Sequence, residues 1–165
     1  TNAFAQIGAL GRLAMVLTVF TILFSTLITP RFARLPAEKS ILFKRYLQIQ
    51  CVILLVTTGI VSAVWMFDKE VLWILGDAYS NLEKELLLNI TGACLTMMAG
   101  ISFSLYTCRG WAIKPIISIP INIAAILIAI TLLDIGTLQG ILQLNILVAS
   151  VQLGMNMLFL SVKIS

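Results

Sequence analysis

Five long stretches of this chain are almost free of charged residues, and the polar residues collect in the segments between them. Each stretch is long enough to cross ~30 Å of hydrocarbon as an α-helix at ~1.5 Å per residue. Apolar and polar residues do not alternate within them, which argues against a membrane β-barrel. The pattern predicts one all-α, polytopic transmembrane domain over residues 1–165, with five transmembrane helices near residues 5–30, 46–67, 82–108, 115–133 and 140–162.

The composition agrees with a lipid bilayer as the main partner. Hydrophobic residues make up 60% of the 165 residues and charged residues only 11%, more apolar surface than a soluble domain of this size could bury. The net charge of +4 comes from basic residues beside the apolar stretches, which indicates lipid headgroups rather than nucleic acid as their contacts. Thr1 lies in mid-pattern, so we expect the chain to be a piece of a longer protein.

The most basic segment, residues 30–45, carries five basic residues against one acidic residue, Glu38. Pro30 is predicted to end the first helix, and Pro36 to lie in the first turn of the second. Basic loops stay in the cytosol. With this loop inside, eight basic residues fall inside and three outside, and six of the seven acidic residues fall outside. We therefore expect a multi-pass protein of the inner (plasma) membrane, with the N-terminus of the chain outside and the C-terminus cytosolic.

The predicted outer loop has structure of its own. Residues 68–75 have the pattern of a short interfacial helix, and Gly76 is placed to end it. Residues 80–83, Ser-Asn-Leu-Glu, match a capping box. The third transmembrane helix is therefore expected to begin near Asn81.

A ridge of small residues runs along the third predicted transmembrane helix at four-residue intervals: Gly92, Thr96, Gly100 and Ser104. Small residues let a second helix approach closely, so a packing seam is one interpretation and a substrate-facing groove is the other. The first helix has a similar face of hydroxyl groups, at Thr18, Thr21, Ser25 and Thr29. Hydroxyl groups can bond within their own helix, so this face says less about function.

The fifth predicted helix has a narrow polar stripe. At ~100° per residue, four side chains fall within ~40° of one another, those of Asn145, Gln152, Asn156 and Lys163. Amides are costly against lipid, so the stripe is expected to face protein or a water-filled cavity. Interhelical hydrogen bonding and a path for a polar solute are the two interpretations. We predict that Asn145, Gln152 and Asn156 face a solvent-accessible groove.

The sequence shows no catalytic or metal-binding constellation. The transmembrane stretches hold no carboxylate pair, histidine is absent, and the three cysteines have no zinc-site spacing. We therefore expect no enzymatic activity, no metal and no cofactor. Arg12 is the charged residue nearest to the middle of a span. It is either a substrate-path residue or an interface residue whose guanidinium extends to the headgroups.

Three motifs follow one another along the chain. The first span ends in Thr-Pro-Arg-Phe-Ala at residues 29–33, the outer loop carries Val-Leu-Trp-Ile-Leu-Gly-Asp-Ala-Tyr at 71–79, and Leu-Tyr-Thr-Cys-Arg-Gly at 105–110 closes the third span. In this order they resemble the C-terminal part of a polysaccharide (O-antigen or lipid-linked oligosaccharide) flippase of the multidrug/oligosaccharidyl-lipid/polysaccharide exporter superfamily. The resemblance covers nearly the whole chain.

The resemblance implies that the chain is most of one lobe of a two-lobed flippase, whose N-terminal lobe is the missing partner. The implied substrate is a polyprenyl-diphosphate-linked oligosaccharide, turned from the inner to the outer leaflet for cell-surface polysaccharide synthesis. Arg12, Arg109 and Lys114 are the candidate contacts for its diphosphate; for the last two, a plain orientation signal is the alternative. A multidrug exporter of the same superfamily and a non-transporting membrane scaffold are the other functions considered.

Overall fold

The computed structural model of the chain describes residues 2–36, 38–75, 82–133 and 136–164. Within these ranges the protein is all-helical, with α1 (Asn2–Ala33), α2 (Lys39–Met66), α3 (Asp68–Leu75), α4 (Glu83–Thr107), α5 (Pro115–Leu132) and α6 (Leu138–Ile164). Five of these helices, all except α3, are long and apolar enough to cross a membrane. The predicted fold class, a helical multi-pass membrane protein, is confirmed.

Successive transmembrane helices run in opposite directions, so α1, α4 and α6 are parallel to one another and antiparallel to α2 and α5. One end of the bundle, which we call the basic end, holds the α1–α2 and α4–α5 connections and the C-terminus of α6. The other, which we call the acidic end, holds α3 and the N-termini of α4 and α6. The basic side chains that collect at the basic end are Arg31, Arg34, Lys39, Lys44, Arg45, Arg109, Lys114 and Lys163.

α4 is the central helix of the bundle. It packs against α1, α2, α3 and α6, whereas the main partner of α5 is α6. Two apolar clusters surround α4. The cluster toward the basic end includes the buried residues Phe32, Leu42, Leu105 and Leu160. The cluster toward the acidic end includes Leu17, Leu72, Leu82 and Leu86.

A buried polar contact reinforces the packing of α2 on α4. Nε2 of Gln50 on α2 donates to the hydroxyl oxygens of Tyr46 and of Ser102 on α4. Ser102 Oγ in turn donates to the carbonyl oxygen of Met98 at 2.9 Å. In hydrocarbon no water is available to these groups, so they are stabilised by bonding to one another. The contact fixes how α2 and α4 are rotated against each other.

The basic segment differs from the prediction at both prolines. Pro30 lies inside α1, which continues to Ala33. Pro36 precedes α2, whose N-cap residue is Glu38. A proline in the last turn of a helix removes only the bond to the carbonyl four residues earlier, here that of Thr26, so α1 does not have to end there.

The short helix predicted in the outer loop is confirmed, because α3 spans Asp68–Leu75. Gly76 lies outside the described residues, as does Ser80. α4 begins at Glu83, and its N-cap residue is Leu82, which has no side-chain oxygen to offer. The predicted capping box rests on Ser80 and therefore lies outside the described residues. Leu82 is buried in the cluster toward the acidic end, so apolar packing stabilises the start of α4.

Candidate functional site

Three grooves follow one another along one side of α4. The first, of about 330 Å³, lies between α4 and α6 toward the acidic end. The second, of about 450 Å³, lies between α4 and α1 near the middle of α4. The third, of about 410 Å³, lies between the same two helices toward the basic end. The first two share Ala93 and Thr96, and we call the surface from the first groove to the third the polar face.

Uncharged polar side chains from three parallel helices line the polar face. They are Thr18, Thr21, Ser25, Thr26 and Thr29 of α1, Asn89, Thr96, Ser104 and Thr107 of α4, and Asn145 and Gln152 of α6. Within the described part of the chain, no charged side chain lines these grooves. Such a face can exchange hydrogen bonds with a hydroxyl-rich solute without the penalty of desolvating an ion.

The small-residue ridge of α4 changes character along its length. At Gly92 the neighbouring helix comes close, because an added Cβ would lie 3.4 Å from Cγ1 of Ile146 on α6. At Gly100 no atom of the described neighbouring segments lies within 4 Å of an added Cβ, and this residue lines the second groove. The ridge therefore packs closely on α6 at Gly92 and lines grooves along its whole length.

Many hydroxyl groups of the polar face donate within their own helix. Thr96 Oγ1 donates to the carbonyl oxygen of Gly92 at 2.9 Å, and Ser104 Oγ donates to that of Gly100 at 3.0 Å. Hydroxyl groups on α1 do the same. Each hydroxyl oxygen keeps lone pairs, so these groups present acceptors to the grooves.

The side-chain amides of Asn145 and Gln152 supply donors to the same face. Both side chains are exposed and both line the first groove. Neither makes a hydrogen bond to the described residues, so both amides can bond to a solute. The structure thus places these two residues in a groove of the kind predicted for them, while their contact with a substrate stays a prediction.

The prediction that Asn156 faces the same groove is wrong. Its side chain is only 1% exposed. Nδ2 donates to the carbonyl oxygen of Ala99 at 3.0 Å, and Oδ1 accepts a bond from the Tyr106 hydroxyl at 3.3 Å. At ~100° per residue, Asn156 lies about 40° around α6 from Gln152, on the side of the buried residue Leu160. The stripe therefore straddles the edge of the α4–α6 interface, and Asn156 is a packing residue.

Arg12 has an exposed side chain on α1. The preceding residue, Gly11, lines the second groove, but Arg12 itself does not. The first groove, with Asn145 and Gln152, draws its lining from α4 and α6. The structure therefore does not bring Arg12 together with the two amides.

Arg109 connects two loops at the basic end. Its Nη2 donates to the carbonyl oxygen of Leu35 at 3.0 Å. The guanidinium carbon lies 5.9 Å from the ring centre of Phe32 and 5.7 Å from that of Trp111, within cation–π range. Nη1 is buried without a hydrogen-bond partner among the described residues. The side chain holds the α1–α2 loop against the α4–α5 loop, and its contact with a phosphate stays a prediction.

Lys114 is the N-cap residue of α5 and is exposed. It lies at a separate cleft between α5 and α6, and Arg109 does not line that cleft. Lys114 and Arg109, the two predicted phosphate contacts, therefore do not line the same cavity.

Cys108 follows the last residue of α4 and lines the third groove. Burial raises the pKa of its thiol above the ordinary value, and the nearby positive charge of Arg109 lowers it by less. The thiol is therefore neutral at neutral pH, like the rest of the groove.

Sequence reasoning missed Asn89, which lines the first groove together with Asn145. The signal was present, because Asn89 lies seven residues before Thr96 and therefore on nearly the same side of the helix. Trp111 was missed as well; its ring and the distant ring of Phe32 both lie against the Arg109 guanidinium.

No protein-family model, curated protein or solved structure matches the chain. Among the described residues, no three His, Cys, Asp or Glu side chains are grouped so that they could hold a metal ion. The fold defines the class, a multi-pass helical membrane protein. The polar face is the feature that points to a function within it.

Proposed function

We propose that the chain is most of one lobe of a two-lobed membrane transporter that turns a polyprenyl-diphosphate-linked oligosaccharide from the inner to the outer leaflet. In this proposal the polar face lines the path of the sugars, and a second lobe, supplied by the rest of the protein, closes the path from the other side. The observation that carries the proposal is the succession of three uncharged grooves along one side of α4, the first two of which share lining residues.

The cost of polar groups in hydrocarbon supports a covered path. Amides and hydroxyl groups that face lipid lose the hydrogen bonds that water would give them. The exposed amides of Asn145 and Gln152 therefore call for water, a solute or another protein surface against the polar face. A water-filled path between two lobes meets this requirement and admits a glycan.

The chemistry of the face suits sugars that bind and then move on. Sugar hydroxyl groups can donate to the oxygens of Thr96 and Ser104 and accept from the amides of Asn145 and Gln152. Each such bond contributes only about 1 kcal/mol net, because it replaces a bond to water. A series of weak sites lets a solute pass, and the two lobes can alternate access by rocking against each other.

The diphosphate needs a cation as well. Arg109 is engaged by the loops at the basic end. Arg12 has an exposed side chain, and its neighbour Gly11 lines the second groove. We assign the diphosphate contact to Arg12, because its guanidinium can bind phosphate oxygens in a bidentate manner.

The direction of transport requires the basic end in the cytosol. The basic connections predict this orientation, which a cysteine at position 40 on α2 and one at position 70 on α3 can test. In full-length protein without its native cysteines, we expect an impermeant thiol reagent added to intact cells to label Glu70→Cys and not Ser40→Cys. Labelling of Ser40→Cys alone would reverse the proposed orientation.

Transport is tested by removing the two free amides. We expect Asn145→Leu combined with Gln152→Leu to slow translocation about thirtyfold, since two hydrogen bonds of about 1 kcal/mol each are lost. The measurement uses full-length protein in vesicles that contain a fluorescent lipid-linked oligosaccharide. An enzyme outside the vesicles removes the glycan that becomes accessible on the outer leaflet.

Gln143→Leu is the matched control. Gln143 is an exposed amide on the same helix, about 160° around from Asn145. We expect this variant to translocate at the unchanged rate. Wild-type protein that leaves the lipid-linked oligosaccharide on its original leaflet would overturn the proposed function. Equal rates in the double variant and the control would remove the polar face from the path.

A further inference from the structure

A fourth cavity lies away from the polar face, between α5 and α6 at the basic end. It is a cleft of about 870 Å³, and we call it the α5–α6 cleft. Its walls are mostly apolar and include Ile117, Ile121, Val151, Met155, Leu158 and Phe159. On α6, Val151, Met155 and Leu158 lie roughly 60–140° around the helix from Asn145 and Gln152. Phe159 lies about two turns beyond Gln152, toward the basic end. The cleft is therefore a different surface from the proposed sugar path.

The charged side chains at the cleft are both positive. Lys114 comes from the N-cap of α5 and Lys163 from the last turn of α6. Both side chains are exposed, and no acidic side chain of the described segments lines the cleft. Two cations from different helices at one mouth favour an anionic group there.

The turn before α5 adds an aromatic side chain to the same mouth. Gly110 has a φ of +73°, a conformation that glycine adopts readily, and the next residue, Trp111, lines the cleft. Tryptophan favours the depth of lipid headgroups, where its ring meets both apolar chains and polar groups. The mouth thus combines the two cations with a ring suited to the membrane interface.

The cleft also has room for a chain. Gly154 of α6 lines it, and no atom of the described surroundings lies within 4 Å of a Cβ added there. From Lys114 to Ile121 the wall extends about 10 Å along α5 at ~1.5 Å per residue, a third of the hydrocarbon thickness. These dimensions fit the upper part of one acyl chain below a headgroup.

We propose that the α5–α6 cleft binds one anionic phospholipid from the leaflet at the basic end. Its headgroup phosphate lies between Lys114 and Lys163, and one acyl chain lies over Gly154. A bilayer lipid is the occupant because the cleft lies on transmembrane helices, its walls are apolar below the two cations, and basic pockets between transmembrane helices bind anionic headgroups. The proposal does not depend on the sugar path.

The test uses full-length protein in nanodiscs with equal amounts of phosphatidylglycerol and phosphatidylcholine, and native mass spectrometry counts the lipids retained on release. We expect one phosphatidylglycerol to be retained in preference to phosphatidylcholine. Lys114→Gln combined with Lys163→Gln is expected to weaken that retention about thirtyfold, from about 1 kcal/mol for each lysine. Millimolar inorganic phosphate is expected to leave the retained lipid in place, which separates a lipid site from a phosphate site.

Two further variants separate the cleft from general attraction to the basic end. Gly154→Leu fills the cleft with apolar atoms and leaves both lysines, so we expect it to abolish retention. Arg34→Gln with Lys44→Gln removes the same charge from exposed positions outside the cleft, so retention should not change. Equal retention of the two lipids, or an equal loss in this control, would overturn the proposal. The proposal would also be overturned if the wild-type protein retained no lipid. A protein segment would then be the remaining occupant of the α5–α6 cleft.

Discussion

α4 and α5 cross the same membrane and are buried to very different degrees. In α4, 50% of the most apolar 18-residue stretch is buried inside the protein, against 11% in α5. α4 carries the polar residues Asn89, Thr96 and Ser102, whereas isoleucine dominates α5. In water the more apolar helix would be the one inside. In lipid an apolar side chain gains little by leaving its surroundings, so small and polar residues determine which helix becomes central.

The contacts of the two helices follow this rule. Ser102 of α4 accepts a bond from Gln50 of α2, and the Ala99 carbonyl accepts one from Asn156 of α6. On α5, Ile119 and Ile128 are 56% and 53% exposed, on surfaces that suit lipid chains. The same substitution should therefore lower the free energy of unfolding more on the densely packed α4 than on the lipid-facing α5.

The largest difference is expected for a leucine truncated in each helix. Leu105 of α4 is fully buried, at 0% exposure, and Leu127 of α5 is 58% exposed. We expect Leu105→Ala to lower the free energy of unfolding by about 2 kcal/mol, through lost packing and the cavity left behind. Thermal unfolding of the purified full-length protein, followed by fluorescence, measures the change.

Leu127→Ala is the matched control, with the same atoms removed from a position that lipid or detergent can refill. We expect a change within about 0.5 kcal/mol, as for a surface substitution. If both variants lost equal stability, α5 would be covered by protein rather than lipid. The contrast between a core helix and a peripheral helix would then be lost.

The sequence predicts the helices better than their contacts. Uncharged runs in the sequence predict the five transmembrane helices, and the pattern of residues 68–75 predicts α3; the structure has a helix at each of these places. Arg109 illustrates what periodicity does not reveal, because its acceptor on Leu35 lies 74 residues away in the chain. The start of α4 is similar, since its N-cap residue Leu82 is buried against residues that are distant in the chain, such as Leu17.

The polar stripe of α6 shows the same limit within one helix. Helical spacing places Asn145, Gln152 and Asn156 close together on one face. Whether each faces a groove or α4 depends on where the edge of the interface falls. That edge depends on partners such as Ala99, which lies 57 residues from Asn156. Spacing alone predicts that the three amides share one face of α6. It does not predict which of them face a groove and which face α4.

A smaller effect is expected when the stripe itself is tested. Asn156→Leu removes the bonds to the Ala99 carbonyl and from the Tyr106 hydroxyl. We expect a loss of about 1 kcal/mol in the free energy of unfolding, the size found for hydrogen bonds between transmembrane helices.

Asn145→Leu, which removes an exposed amide with no bond to the described residues, should leave stability within about 0.5 kcal/mol. Equal losses in the two variants would place Asn145 in a protein interface and would take the amide stripe out of the proposed sugar path. A loss confined to Asn156→Leu would show that one stripe has a structural half, held by α4, and an open half, free to contact a solute.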